Sequence, residues 1–224
     1  MNTQIEIIHS IVKMPLMSLP VATPIVRFKD RVLLISPGSQ LSMEQLKNIG
    51  QVTDILAPNL LHSAGVEKAS QVFPKAKLWA VHGLKKTKPH INWTDELNEK
   101  SWPYHEHLQL IEIKGMPSVN EVVFYEPKSK SLITTDFGFN MQNVSGFGAR
   151  IIQSIFGTYQ RFAVSRLFTL MVKKNDQFEQ SINKIFQTQF DKIIMSHGEP
   201  LEMNARDKLI EALKERGFNI LTWK

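Results

Sequence analysis

The sequence predicts an α/β fold of two mixed β-sheets with helices packed outside them. Three observations lead there. The opening and the middle of the chain carry β-rich runs joined by short turn-forming segments, as antiparallel neighbours do. Between them, strand-like and helix-like runs alternate. The chain then finishes in a strand–helix–strand order. Sheets of this kind need helices to cover their apolar faces.

Each element has its own signal. Residues 4–10 read as a strand, and residues 24–29 and 32–36 as a hairpin turning at Lys29, Asp30 and Arg31. Ser36-Pro37-Gly38-Ser39 breaks that run. Ser42 is placed to cap a helix, with Gln45 three residues on and Gly50 to end it. A short buried-type strand over 52–58 precedes a helix over 63–73 closed by Pro74, and residues 76–81 form a further strand. Three strands follow over 108–115, 120–126 and 130–136, with polar residues alternating against apolar neighbours. Residues 146–174 turn helical. A helix over 175–189, a strand over 190–196, an amphipathic helix over 202–217 and a last strand over 218–224 complete the chain. No repeat, low-complexity segment or linker divides it, so residues 1–224 read as one domain with a helical insertion at about 145–175.

Composition narrows the function classes. A chain of 224 residues can bury about 70 % of its unfolded surface in one core. The net charge of +6 comes from 27 basic and 21 acidic side chains scattered along the chain, which argues for solubility and against nucleic acid. The densest basic stretch, residues 82–90, reads as a solvated loop. With no cysteine, disulfides, thiolate ligands and a Cys nucleophile are excluded. The N-terminus shows no signal-peptide pattern and no apolar run reaches the roughly eighteen residues of a membrane span, so the default location is the cytoplasm. No Gly-rich phosphate loop appears, which argues against a nucleotide cofactor. A serine-hydrolase elbow is also missing.

Three polar residues fall where strands are expected to end: His62, Asp136 and His197. Strand-end loops are where a rigid scaffold presents chemistry. Two imidazoles and a carboxylate suit Zn²⁺ with an open position, or Fe²⁺. Each residue also has a plainer reading, as a packed histidine or a turn-capping aspartate. Asn59 shares a loop with His62 and is a candidate to bind substrate or to fold that loop. Glu199 and Asn140 lie close in sequence to His197 and Asp136; Glu199 is a candidate catalytic carboxylate or fourth ligand. His105 and His107, spaced on an expected strand, read as structural or exposed, and the four tryptophans as packing.

These residues carry a resemblance. The opening hairpin, "DILAPNLLHSAGVEKA", "IKGMPSVNEVVFYE", "LITTDFGFN" and "IIMSHGEP" follow one another as in the metallo-β-lactamase fold superfamily. The likeness is strongest to its branch of domains of unknown function with degenerate metal motifs, and it covers nearly the whole chain. It implies a four-layer αββα sandwich. The superfamily's His-x-His-x-Asp-His run matches Ala57 to His62, with Ala57 and Asn59 at the first two His positions and Leu61 at the Asp. Its next His matches Met116, its bridging Asp Asp136, and its last His His197, followed by Gly198. The three-His metal position is therefore lost, while His62, Asp136 and His197 remain of the other.

The resemblance implies a single-metal hydrolase-like protein holding one Zn or Fe ion, acting on an unknown small-molecule substrate. The alternative is a non-catalytic relative that binds a small ligand or a protein partner. A third reading, ranked last, takes residues 146–174, with Arg150, Arg161, Arg166, Lys173 and Lys174, as a membrane-surface or nucleic-acid contact. Oligomeric state is not legible.

Overall fold

The computed structural model describes residues 3–14, 17–143 and 145–220. The chain opens with three strands, β1 (Gln4–Met14), β2 (Met17–Phe28) and β3 (Arg31–Ile35), followed by helix α1 (Met43–Asn48). Next come β4 (Asp54–Ala57), α2 (Val66–Val72), β5 (Lys77–Ala80), α3 (Leu84–Thr87), β6 (Asp95–Glu96), β7 (Gln109–Glu112), β8 (Val122–Glu126) and β9 (Ser131–Asn140). The last third holds α4 (Phe147–Phe156), β10 (Phe162–Ala163), α5 (Arg166–Met171), α6 (Asn175–Gln187), β11 (Lys192–Gly198) and α7 (Ala205–Glu215).

Where two sheets were expected, the strands pair along one continuous mixed path, β6-β5-β4-β3-β2-β11-β9-β8-β7, with β1 added to β2 and β10 to β9. The two halves meet across a single ladder position, His197 on β11 against Val21 on β2. The sheet curls, and side-chain alternation on β7, β8 and β9 shows how. Leu110, Val122, Phe124 and Ile133 join one core with Leu33, Leu34, Ile55 and Leu56 from the opposite half. Ile111, Val123, Tyr125 and Leu132 face the other way, into a second core with Phe178, Ile182 and Ile185 of α6 and Leu209 and Leu213 of α7.

Local chemistry explains most elements. Ser42 Oγ accepts the Gln45 N–H while Gln45 Oε1 accepts the Ser42 N–H, a reciprocal cap that starts α1 as expected. Trp79 and Trp102 are buried edge to face, and Trp79 Nε1 donates to Asp54 at 2.7 Å, so both are packing residues. Trp223 lies outside the described residues.

The structure differs from the sequence reading in several places. β2 begins well before Pro24, because Pro20 and Pro24 sit where β11 and β3 pair only lightly with it: β11 meets β2 at Val21 alone and β3 from Ile25 onward. Residues 82–90 are no plain loop, since α3 forms within them. His105 and His107 stand in a turn before β7, where His107 stacks on Phe28 at 4.8 Å. The 146–174 segment is not one helix. Gly157 ends α4 with a left-handed φ of 69°, β10 pairs with β9, and Ser165 caps α5. Residues 218–220 are not strand, and 221–224 lie outside the described residues. Among the described residues no helix is long and apolar enough to cross a membrane.

Candidate metal centre

The site forms where the two halves of the sheet join. β9 and β11 run parallel and in register from Ser131 against Lys192 to Thr134 against Met195. The ladder resumes with Phe139 against His197. Between those points β9 contributes more residues than β11, so Thr135 to Gly138 bow out of the ladder. Asp136 and His197 are therefore not strand ends, as expected, but lie within strands at this irregularity. A bulge re-aims side chains and leaves backbone groups unpaired.

Glu121 satisfies those groups. This carboxylate is 1 % exposed and accepts the N–H groups of Thr135 (2.8 Å), Asp136 (3.1 Å) and Phe137 (3.3 Å). Sequence reasoning passed over it as one polar residue in the run Asn120–Glu126. Its signal was a carboxylate directly before the apolar run Val122 to Tyr125 of a strand, Val122–Glu126, that is buried throughout.

The loop after β4 brings His62 to Asp136. Asn59 Oδ1 accepts the N–H groups of Leu61 (2.9 Å) and His62 (2.7 Å), folding the loop back on itself. Its Nδ2 donates to Asp136 Oδ2 and Thr135 Oγ1, each at 2.8 Å. Asn59 is fully buried, and its amide is used in positioning the loop and the carboxylate. The helix that follows needs Gly65, since a Cβ there would stand 2.0 Å from the Pro37 carbonyl oxygen.

Three ligand atoms converge. His62 Nε2 lies 3.2 Å from Asp136 Oδ1 and 3.2 Å from His197 Nε2, and His197 Nε2 lies 3.3 Å from Asp136 Oδ1. Neighbouring ligands of a tetrahedral ion with bonds of about 2.0–2.1 Å stand about 3.3 Å apart, so this donor set fits one divalent ion. The three side chains are 13 %, 14 % and 16 % exposed, which leaves the centre reachable. Ser36 Oγ holds His62 Nδ1 at 2.7 Å and Asn59 holds the far carboxylate oxygen, the outer contacts that fix ligand orientation. His197 is held differently. Its ring stacks on Phe139, 3° from parallel at 5.1 Å, and its buried Nδ1 has no hydrogen-bond partner.

The other sequence candidates fall around this centre. Ala57 and Met116 are buried among apolar side chains and Leu61 is exposed, so none of the lost positions has a replacement ligand. Among the described residues, no second ligand cluster of this kind occurs. Glu199 is exposed; its backbone pairs with Asn140, whose side-chain Nδ2 donates to the Glu199 carbonyl at 2.8 Å. Asn140 thus braces the end of β11.

Burial and charge set the protonation states. Burial opposes charging of His62, but Asp136 and Glu121 outweigh it and raise its pKa above 6.5. Burial likewise works against ionised Asp136, yet the two histidines hold its carboxyl well below the usual range. Glu121 is pushed from 4.5 to about 7 by burial and by the charge on Asp136, against the Thr135 hydrogen bonds.

A pH dependence follows for chelator-treated protein. Between pH 4.5 and about 7 the folded protein retains a proton on Glu121 that the unfolded chain has released, so stability falls as pH rises through this window. The loss is on the order of 3 kcal/mol if Glu121 ionises fully. His62, also raised, adds a loss in the same direction above pH 6.5. Asp136, lowered, contributes stability that is lost only as pH drops below 3.8. Thermal melts should show Tm decreasing from pH 5 to pH 7.5 and a flatter profile in Glu121→Gln; a Tm rising across that range would refute the assignment.

Comparison with known proteins agrees with this architecture. No protein-family profile matches the chain, and neither does any curated protein sequence. Solved structures do match. A metallo-β-lactamase from Pontibacter korlensis superposes with a TM-score of 0.66 at 14 % identity, covering 94 % of this chain and 99 % of that one. A metal-soaked flavodiiron core from Synechocystis sp. PCC6803 gives 0.65 at 12 % identity over 96 % of this chain and 59 % of its own. A flavoprotein from Thermotoga maritima gives 0.66 at 9 % identity over 95 % and 62 %. The chain has the fold of the metallo-β-lactamase superfamily, as its sequence resemblance implied.

Proposed function

We propose that the protein is a single-metal, hydrolase-like member of this fold, with His62, Asp136 and His197 as the ligands of one Zn²⁺ or Fe²⁺. The observation that carries this reading is the convergence of two Nε2 atoms and one carboxylate oxygen at 3.2–3.3 Å from one another. The fold neighbours include metal-dependent proteins by name, a β-lactamase and a flavodiiron core. A divalent ion held there would polarise a substrate oxygen and acidify a water molecule for attack on an ester, amide or phosphoester. The chain's own residues keep the centre ready. Ser36 and Asn59 orient two ligands, Glu121 fixes the bulge that carries Asp136, and ionised Asp136 supplies the negative charge. Glu199, two residues after His197 and solvent-exposed, is the candidate carboxylate for contact with substrate or water. A two-metal reaction is not supported, since Ala57, Leu61 and Met116 offer no ligand atoms of the required kind.

Elemental mass spectrometry on untagged protein tests the proposal. About one Zn or Fe per chain, lost in the His62→Ala, His197→Ala double variant, is expected for a three-ligand set with an open coordination position. Wild-type protein that carries no metal after reconstitution would overturn it. It would leave the second reading, a non-catalytic binder built on a hydrogen-bonded polar cluster.

A further inference from the structure

His197 lines two cavities. The smaller, about 120 Å³, includes Ser36, Gly38, Leu61 and His62, so both candidate histidine ligands line it. The larger, about 410 Å³, is walled by Leu19, Met141, Ile152, Phe156 and Leu167, together with Phe139 stacked on His197. The two adjoin across one strand pair, because Leu19 of the larger is the cross-strand partner of Val12 in the smaller. The size of the larger is that of a small-molecule site, roughly 300–1,000 Å³.

Its chemistry defines the occupant. The polar side chains in its wall are occupied within the protein: Thr158 Oγ1 bonds the Gln153 side chain, and Ser165 Oγ accepts the Phe168 N–H at 3.0 Å. Apart from these and His197, whose buried Nδ1 has no partner, the wall is aliphatic and aromatic carbon, so the cavity favours hydrocarbon. The helices that supply Ile152, Phe156 and Leu167 also carry exposed apolar side chains. Phe147, Ile151 and Ile155 recur every fourth residue along α4, at 81 %, 44 % and 60 % exposure, and Leu170 of α5 is 71 % exposed. Apolar residues left open beside an apolar cavity mark a binding surface.

We infer that the larger cavity seats the single alkyl or acyl chain of an amphiphile, whose polar head reaches the His62–Asp136–His197 centre past His197. The class of substrate is thus an ester, amide or phosphoester carrying one hydrocarbon tail. The reacting head rests on the proposed metal centre, whereas the seat of the tail does not.

Calorimetric titration of chelator-treated protein with hexanoate, octanoate, decanoate and dodecanoate, each below its micellar concentration, separates the two. Affinity should rise about fourfold per methylene, the equivalent of about 0.8 kcal/mol for each buried CH₂. The rise should vanish in Ile152→Trp, which fills the cavity, and in Leu167→Glu, which charges its half-exposed rim. No binding, or a chain-length dependence that both variants retain, would overturn the inference while leaving the metal count untouched. Co-flotation of wild-type protein with phosphatidylglycerol vesicles, lost in Phe147→Ser, would assign the amphiphile to a bilayer; chain-dependent binding without flotation would assign it to free molecules.

Discussion

Replacing Glu121 by alanine is expected to destabilise the protein by roughly 3–5 kcal/mol. The side chain is 1 % exposed, and its two oxygens accept three backbone N–H groups from the β9 bulge and one from the Asn59 amide. Removing an acceptor from buried donors costs about 1–3 kcal/mol for each donor left unsatisfied. The relief of a buried, partly ionised carboxyl offsets some of that sum. For a chain of this length the change corresponds to a fall in Tm of roughly 6–20 °C, read by calorimetry or circular dichroism at pH 6. Because the same bulge aims Asp136 at the histidines, metal affinity should fall with it. A destabilisation below about 1 kcal/mol would mean that water replaces the carboxylate at the bulge, and Glu121 would then not be what positions Asp136.

The substitution Gly198→Ala should be of similar size for a different reason. Gly198 follows His197 directly and has φ of +98°, a conformation that L side chains rarely adopt; a Cβ there would stand 2.1 Å from the Asn140 carbonyl oxygen and 2.5 Å from its carbon. Those atoms are backbone of β9 and cannot rotate away. Strain of about 1–3 kcal/mol at the dihedral adds to overpacking of about 1–3 kcal/mol. The expected result is a loss of roughly 2–6 kcal/mol, accompanied by displacement of His197, and so a metal content well below one ion per chain in whatever protein remains folded. A variant with wild-type Tm and full metal content would show that β9 and β11 can separate at this point without cost. The His-Gly pair would then have no steric basis here.

Much of this was legible in the chain itself. Period-two runs and turn residues located most strands, and Ser42 with Gln45 placed α1 to within a residue. The resemblance to the metallo-β-lactamase superfamily grouped Asp136 and His197 with His62, although 74 and 135 residues separate them from it. Local rules reach the elements but not that grouping, because strand, turn and cap signals depend on near neighbours in sequence. What escaped them depended on distant neighbours. β2 continues through Pro20 and Pro24 because of how few bonds other strands ask of it, and β9 continues past Asp136 because β11 resumes pairing at Phe139. Glu121 gives no sign of its role in isolation, since its partners lie 14 to 16 residues away in a bulge that exists only once β11 has docked. The apolar cavity is likewise assembled from β2, β9, α4, α5 and β11. By itself, then, the sequence determined most of the elements, their order and the residue types available to the site. The tertiary structure alone decided that the sheet is one continuous path, that Asn59 and Glu121 are consumed in holding the site, and that His197 opens onto hydrocarbon-sized space. These depend on which unpaired backbone groups and side-chain faces meet across the fold, a fact carried by packing and by no local stretch of residues.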